Sequence, residues 1–120
     1  MKQELKNALL KHETDLEGAL DRLSGDEQLY MDFLDSFLKD QTISDLDSAL
    51  KTRSWDEAFT AAHALKGLAG NMGFVPLFQT TAELVINIRA GKLDDANATF
   101  TTLKRCYIDI TNVIRYYCDL

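Results

Sequence analysis

The sequence predicts an all-α protein, an up-and-down antiparallel four-helix bundle over about residues 26–118 with one or two short helices before it. Three observations carry this. Proline occurs once and glycine six times, too few for the many tight turns of a β-sandwich. Leucine occurs eighteen times and valine three, a balance that suits helices over pleated sheet. Apolar residues also recur at three- and four-residue spacing through most of the chain, the period of a helix with one buried face.

Residues 1–11 read as a helix with a thin apolar stripe, Leu5 and Leu9. A second short helix holds Leu16, Ala19, Leu20 and Leu23 and closes at Ser24-Gly25. The next segment opens near Asp26, carries Leu29, Phe33, Leu34 and Phe37, bends near Asp40-Gln41-Thr42, and continues through Ile43, Leu46 and Leu50. Ser54 is placed as an N-cap with Glu57 three residues on as its capping-box partner. A stripe of Trp55, Ala58, Ala62, Leu65, Ala69 and Met72 follows, ended by Gly73. Pro76 falls in the first turn of the next helix, where its missing N–H costs nothing. That helix carries Leu77, Thr81, Leu84 and Ile88 up to Gly91. Asp94 or Asp95 sits where an N-cap or first-turn acid belongs, and the final helix runs Ala96, Phe100, Leu103, Tyr107, Ile110, Ile114 and Tyr117. At about 25 residues it is roughly 37 Å long. With short connections, neighbouring helices pack antiparallel. No repeat, linker or low-complexity tract divides the chain, so one domain over 1–120 is expected.

Composition narrows the function classes. Thirteen Lys and Arg against nineteen Asp and Glu give a formal charge of −6, and so acidic a chain is a poor partner for a phosphate backbone. No apolar run approaches the ~18 residues of a membrane span, and Met1-Lys2-Gln3-Glu4 lacks the apolar core of a secretory signal. Two cysteines, Cys106 and Cys118, cannot make a disulfide framework. On one helix they stand roughly 18 Å apart and cannot bridge each other. The expectation is a cytoplasmic protein that binds neither nucleic acid nor membrane.

One stretch does not fit a plain bundle. His63 is one residue past Ala62, about 100° off the buried line. Its helical neighbours include Phe59, Lys66, Gly67 and Gly70. Two glycines inside a helix each cost about 1 kcal/mol against alanine, and they leave bare backbone on the His63 side. The arrangement admits a bulky group close to the ring. A neutral imidazole nitrogen is a good nucleophile near neutrality, and Lys66 is a cation able to offset the charge of a phosphoryl group on it. The same residues are equally those of a surface histidine, a close helix crossing at the glycines and a solvated lysine. By themselves they support docking at this place and no particular chemistry.

The segment Ala62-His63-Ala64-Leu65-Lys66-Gly67-Leu68-Ala69-Gly70-Asn71-Met72-Gly73 closely resembles the signature of histidine-containing phosphotransfer (HPt) domains. There the pattern is Ala-His-x-Leu-Lys-Gly, a small-residue stretch, then Gly. Gly25-Asp26-Glu27 with Leu29, Tyr30, Phe33, Leu34 and Phe37 resembles the family's lead-in. Ala49-Leu50 with Trp55-Asp56-Glu57-Ala58 resembles its approach to the motif, and Ala90-Gly91-Lys92-Leu93 its final connection. The resemblance covers roughly residues 13–116.

The resemblance implies a phosphocarrier of a two-component, multi-step phosphorelay rather than an enzyme. His63 would accept a phosphoryl group on Nε2 from a receiver-domain aspartate and pass it to another receiver. Lys66 would stabilise the phosphoryl charge, and Gly67, with help from Gly70, would clear space for the receiver. Partners would be response-regulator receiver domains and a hybrid histidine kinase, met by a monomer. The chain would need no cofactor of its own, the receiver supplying Mg²⁺. In keeping with that division, no nucleotide loop or metal-placed carboxylate cluster appears, and phosphoryl transfer needs mainly positioning and electrostatics. Docking would be apolar at its centre, with Phe59, Leu68 and Met31 as candidates; Phe59 packing inward is the alternative. In much of the family a Glu or Gln follows the Leu of the next helix and reaches toward the histidine. Here Val85 follows Leu84, and Glu83 stands one place earlier. Phosphoacceptor domains of chemotaxis kinases, to which Gly73-Phe74 and Thr80-Thr81 are similar, use such a carboxylate to accept from ATP. The departure therefore favours a receiver-to-receiver relay. The rival is a degenerate HPt domain that binds receivers without carrying phosphate. His12 lacks such surroundings and is expected at the surface. A zinc site from His12, His63, Cys106 and Cys118 has no close ligand pair to seed it. No nucleophile motif suggests a hydrolase.

Overall fold

The computed structural model of the protein describes residues 1–118, so the last two positions of the domain expected over 1–120 lie outside the described residues. It is all-helical: α1 (Gln3–Lys11), α2 (Leu16–Arg22), α3 (Glu27–Lys39), α4 (Thr42–Lys51), α5 (Trp55–Met72), α6 (Val75–Arg89) and α7 (Leu93–Cys118). Among the described residues, β pairing is confined to one isolated bridge between Thr14 and Phe74. Both short helices expected at the start are present. Packing follows chain order, α4 on α5, α5 on α6 and α6 on α7, while α3 reaches both α5 and α7 and α1 leans on α7. The contacts give two of these pairs a direction. Phe59 and Lys66 of α5 meet Arg89 and Phe78 of α6. Asn87 and Thr80 of α6 meet Thr99 and Cys106 of α7. In each case one number rises as the other falls, so the helices are antiparallel. Among the described residues no helix is long and apolar enough to cross a membrane.

Three expectations need correction. The helix with a bend at 40–42 is two helices. Asp40 takes an extended conformation (φ −70°, ψ 137°), and its Oδ1 accepts from the Thr42 amide at 2.8 Å. A carboxylate that offers the backbone a partner outside the helix ladder ends one helix and starts the next. Ser54 is the N-cap residue of α5 as expected, but the capping box with Glu57 does not form, since the Ser54 side chain makes no cap bond; its hydroxyl pairs with that of Thr52 at 2.9 Å instead. Leu29 and Phe33 are exposed rather than on the buried stripe of α3, which is Tyr30, Leu34 and Phe37.

The core is built from Leu5 and Leu9 of α1, Tyr30 and Leu34 of α3, Leu46 of α4, Leu65 of α5, Leu77 and Leu84 of α6, and Leu103 and Ile114 of α7. The thin stripe of α1 is thus fully used. Phe37 joins α3 to the rest by ring contacts with Phe74 at 5.1 Å and Tyr107 at 5.3 Å. The inward face of α5 is mostly alanine: Ala58, Ala61, Ala62 and Ala69 are buried with Leu65 and Met72. Small side chains let α4 and α6 approach this helix closely while leaving its opposite face outward.

Candidate functional site

The outward face of α5 is where the unusual residues gather. His63 lies mid-helix and is exposed, as is Gly67 one turn on. A Cβ built on Gly67 would meet nothing within 4 Å. The backbone there is bare and no neighbour fills the space. The site thus has the two properties the sequence asked for at this point, an outward imidazole and room beside it.

The flanking side chains are held by α6. Phe59, one turn before His63, is half-buried. Its ring lies parallel to the imidazole, with centroids 6.1 Å apart and planes within 9°. The Arg89 guanidinium stands 5.1 Å from the same phenyl centroid. Phe59 therefore packs on α6, the alternative left open by the sequence. Lys66 is half-buried, its Nζ lying 5.8 Å from the centroid of Phe78. That is a cation–π contact at the weaker, solvent-facing end of the range, so the ammonium can leave it for a stronger anionic partner. Between Phe78 and Arg89 the same face of α6 carries Ala82 and Val85 by helical spacing. Val85 is 8 % exposed and Glu83 points outward as an exposed residue. Among the described residues no side chain hydrogen-bonds or ion-pairs with the His63 ring.

Gly70 has a different role from Gly67. A Cβ there would meet the Phe78 ring at 3.3 Å, so the clearance expected of Gly70 is filled from within the protein. Leu68 is half-buried and lines a groove between α3 and α5 with Phe33, Phe37, Asp40, Asn71 and Met72. Met31 is half-buried on α3 and does not line that groove. Leu29 and Phe33 are the exposed apolar residues of α3 instead. His12 is exposed at the end of α1 and shares a pocket with Cys106, while His63 lies on α5 outside it. Among the described residues no group of three or more His, Cys, Asp and Glu is placed to hold a metal.

Two glycines inside α5 weaken it locally, and its C-terminal end is fastened. A helix leaves its last carbonyls without intrahelical partners. Here the Arg22 guanidinium of α2 donates to the carbonyls of Gly70 (2.8 Å) and Asn71 (3.0 Å). The Tyr30 hydroxyl, fully buried, donates to the Met72 carbonyl at 2.8 Å. Gly73 turns the chain at φ 77°, a left-handed conformation that glycine adopts without penalty, and its carbonyl accepts from the Asp15 amide at 2.7 Å. Burial pushes the Tyr30 phenol far above its ordinary value; in its buried seat it stays a neutral donor.

Sequence reasoning missed Arg89, Phe78, Arg22 and the Tyr30 hydroxyl. Phe78 and Arg89 are eleven residues apart, three turns of α6, and that spacing was a signal for one shared face. Arg22 and Tyr30 act across the fold, and no local pattern marks them.

A family model described as Hpt domain matches residues 28–112. No curated protein and no solved structure matches the chain.

Proposed function

The chain belongs to the Hpt domain family, whose business is histidine phosphotransfer in two-component signalling, and from that premise we propose that it is a phosphocarrier with His63 as the phosphorylated residue. The observation that carries the proposal is the open space at Gly67 beside an exposed, mid-helix His63. A receiver domain presents its phosphoryl group as an aspartyl phosphate inside a recessed site, and an imidazole reaches it only from a surface with no side chains standing in the way.

In the transfer step the Nε2 lone pair attacks phosphorus in line with the aspartyl oxygen. The N–P bond forms, the P–O bond to aspartate breaks, and the carboxylate leaves with the bonding pair. Nδ1 keeps its proton, so the product is a phosphoimidazolium. In the second transfer the same events run onward to another receiver's aspartate. Lys66 leaves the Phe78 ring to pair with the phosphoryl oxygens, a charge-assisted contact stronger than the cation–π one. Mg²⁺ and the remaining charge-stabilising groups belong to the receiver, which leaves this chain the tasks of presentation and clearance. The geometry this uses is the up-and-down four-helix arrangement, with α3 and α4 together as a broken first helix, in one monomeric domain in the cytoplasm. Val85, apolar and buried, stands where a carboxylate would assist acceptance from ATP. That supports a relay between receivers, with a hybrid kinase upstream.

The test is transfer of label from a receiver domain charged with radiolabelled acetyl phosphate. Wild-type protein acquires acid-labile, base-stable label, and His63→Gln acquires none while keeping the helical signal of the wild type. Receiver binding without transfer to wild type would replace this reading by that of a degenerate, receiver-binding module.

A further inference from the structure

Among the described residues no side chain hydrogen-bonds the His63 ring to set its plane, yet a nucleophile that transfers phosphate must aim its lone pair. Among the described residues, the contact found at the ring is with another ring. Phe59 lies parallel to the imidazole at 9° and 6.1 Å. It is itself held from the other helix by Arg89, 5.1 Å from its centroid. The neighbouring positions of α6 on that face, Ala82 and Val85, are aliphatic and can neither donate nor accept.

We propose that Phe59, braced by Arg89, is the positioning residue for His63: the phenyl face fixes the imidazole plane, and with it the line along which Nε2 meets phosphorus. The inference rests on the phosphotransfer reading above. It also changes the role of Phe59, from a surface that meets the receiver to a support beneath the reacting ring. A histidine at an exposed helical position samples several side-chain rotamers, and misplacement of a reacting atom by about 1 Å costs on the order of a hundredfold in rate. A flat, half-buried ring one turn earlier removes those rotamers that tip the imidazole out of parallel. Arg89 keeps the phenyl ring from swinging away, since an arginine stacks on aromatic faces.

Three readouts decide it. First, the His63 ring-proton resonances of the unphosphorylated protein move in Phe59→Leu, because the ring current of the phenyl group is lost. Second, single-turnover transfer from a receiver charged with labelled acetyl phosphate slows about tenfold at saturating receiver, while the half-saturating receiver concentration stays at the wild-type value. Third, Phe59→Tyr, which keeps the ring, restores the wild-type rate. Arg89→Leu slows transfer in the same sense, and it keeps the question answerable should Phe59→Leu fail to fold. The proposal is overturned if the His63 resonances do not move. It is also overturned if the rate constant is kept while the half-saturating concentration rises, which is the behaviour of a docking residue. The resonance shift is read without phosphate, so its failure is distinct from failure of the phosphotransfer reading, which His63→Gln decides.

Discussion

Three glycines follow one another at three-residue intervals along the end of α5, and a methyl group added to each would meet different surroundings. At Gly67 it would find open space; at Gly70 it would touch the Phe78 ring at 3.3 Å; at Gly73 it would run into the backbone of Asp15. The first region is kept clear and the last is closed by the fold, with Arg22 and Tyr30 fastening the carbonyls between. Glycine in a helix means little until one knows what its missing side chain would have hit. Where the answer is the protein itself, the residue serves packing. Where the answer is nothing, the space stays open, and on the phosphotransfer reading proposed above a receiver uses it.

The contrast can be broken or sharpened by substitution. The largest effect is expected at the open end. Gly67→Gln places a long side chain beside His63, and transfer from a charged receiver falls by tenfold or more, about 1.4 kcal/mol or above in barrier terms. Thermal stability stays level or rises, because glutamine is the better helix former. Unchanged transfer would mean that the space is not needed. At the closed end Gly73→Ala has the opposite profile: the left-handed φ alone costs about 1–2 kcal/mol, and contact with Asp15 adds to it. The melting temperature drops, and transfer survives in whatever fraction stays folded. Next comes Tyr30→Phe, which leaves the Met72 carbonyl without its buried partner and costs about 1–2 kcal/mol in denaturant titration. The pH dependence follows from the raised phenol. The ordinary tyrosine value is 10.0 and the folded value lies above it, so the unfolded chain loses its proton first. The contribution of Tyr30 is therefore complete below pH 10 and is lost as pH rises beyond it. Tyr30→Phe should flatten that alkaline decline; an unaltered slope would assign it to other groups. The smallest effect separates the first two glycines directly. Gly67→Ala should gain most of the ~1 kcal/mol by which alanine exceeds glycine in a helix, and Gly70→Ala less, since the added methyl must displace the Phe78 ring. Equal gains would show that Phe78 yields freely.

Much of this was legible in the chain. Helix stops at Gly73 and Gly91, the Pro76 start and the long stripe of α7 are local signals, and each became an element boundary or a buried face. His63, Lys66 and Gly67 were legible as a motif, because position on a helix is set by the backbone period alone. What sequence could not supply were relations across helices. Asp40 looks like an ordinary helix-surface acid until its carboxylate is seen on the Thr42 amide. Leu29 and Phe33 have the spacing of core residues, but the burial of Tyr30 turns α3 so that they face outward. Gly67 and Gly70 look alike in a string of letters, and only Phe78 on the next helix tells them apart.

The fastening of α5 also bears on where the chain may be cut. The family match begins at residue 28, whereas the guanidinium of Arg22 and the amide of Asp15 lie upstream of it. Excising the matched segment would turn three carbonyls at the end of α5 toward bulk water, and would strip Val113 and Ile114 from the interior at the other terminus. Such a fragment should unravel from Gly73 back toward Gly67, blurring the open space beside His63, so the smallest stable version of this protein is longer than its recognisable signature.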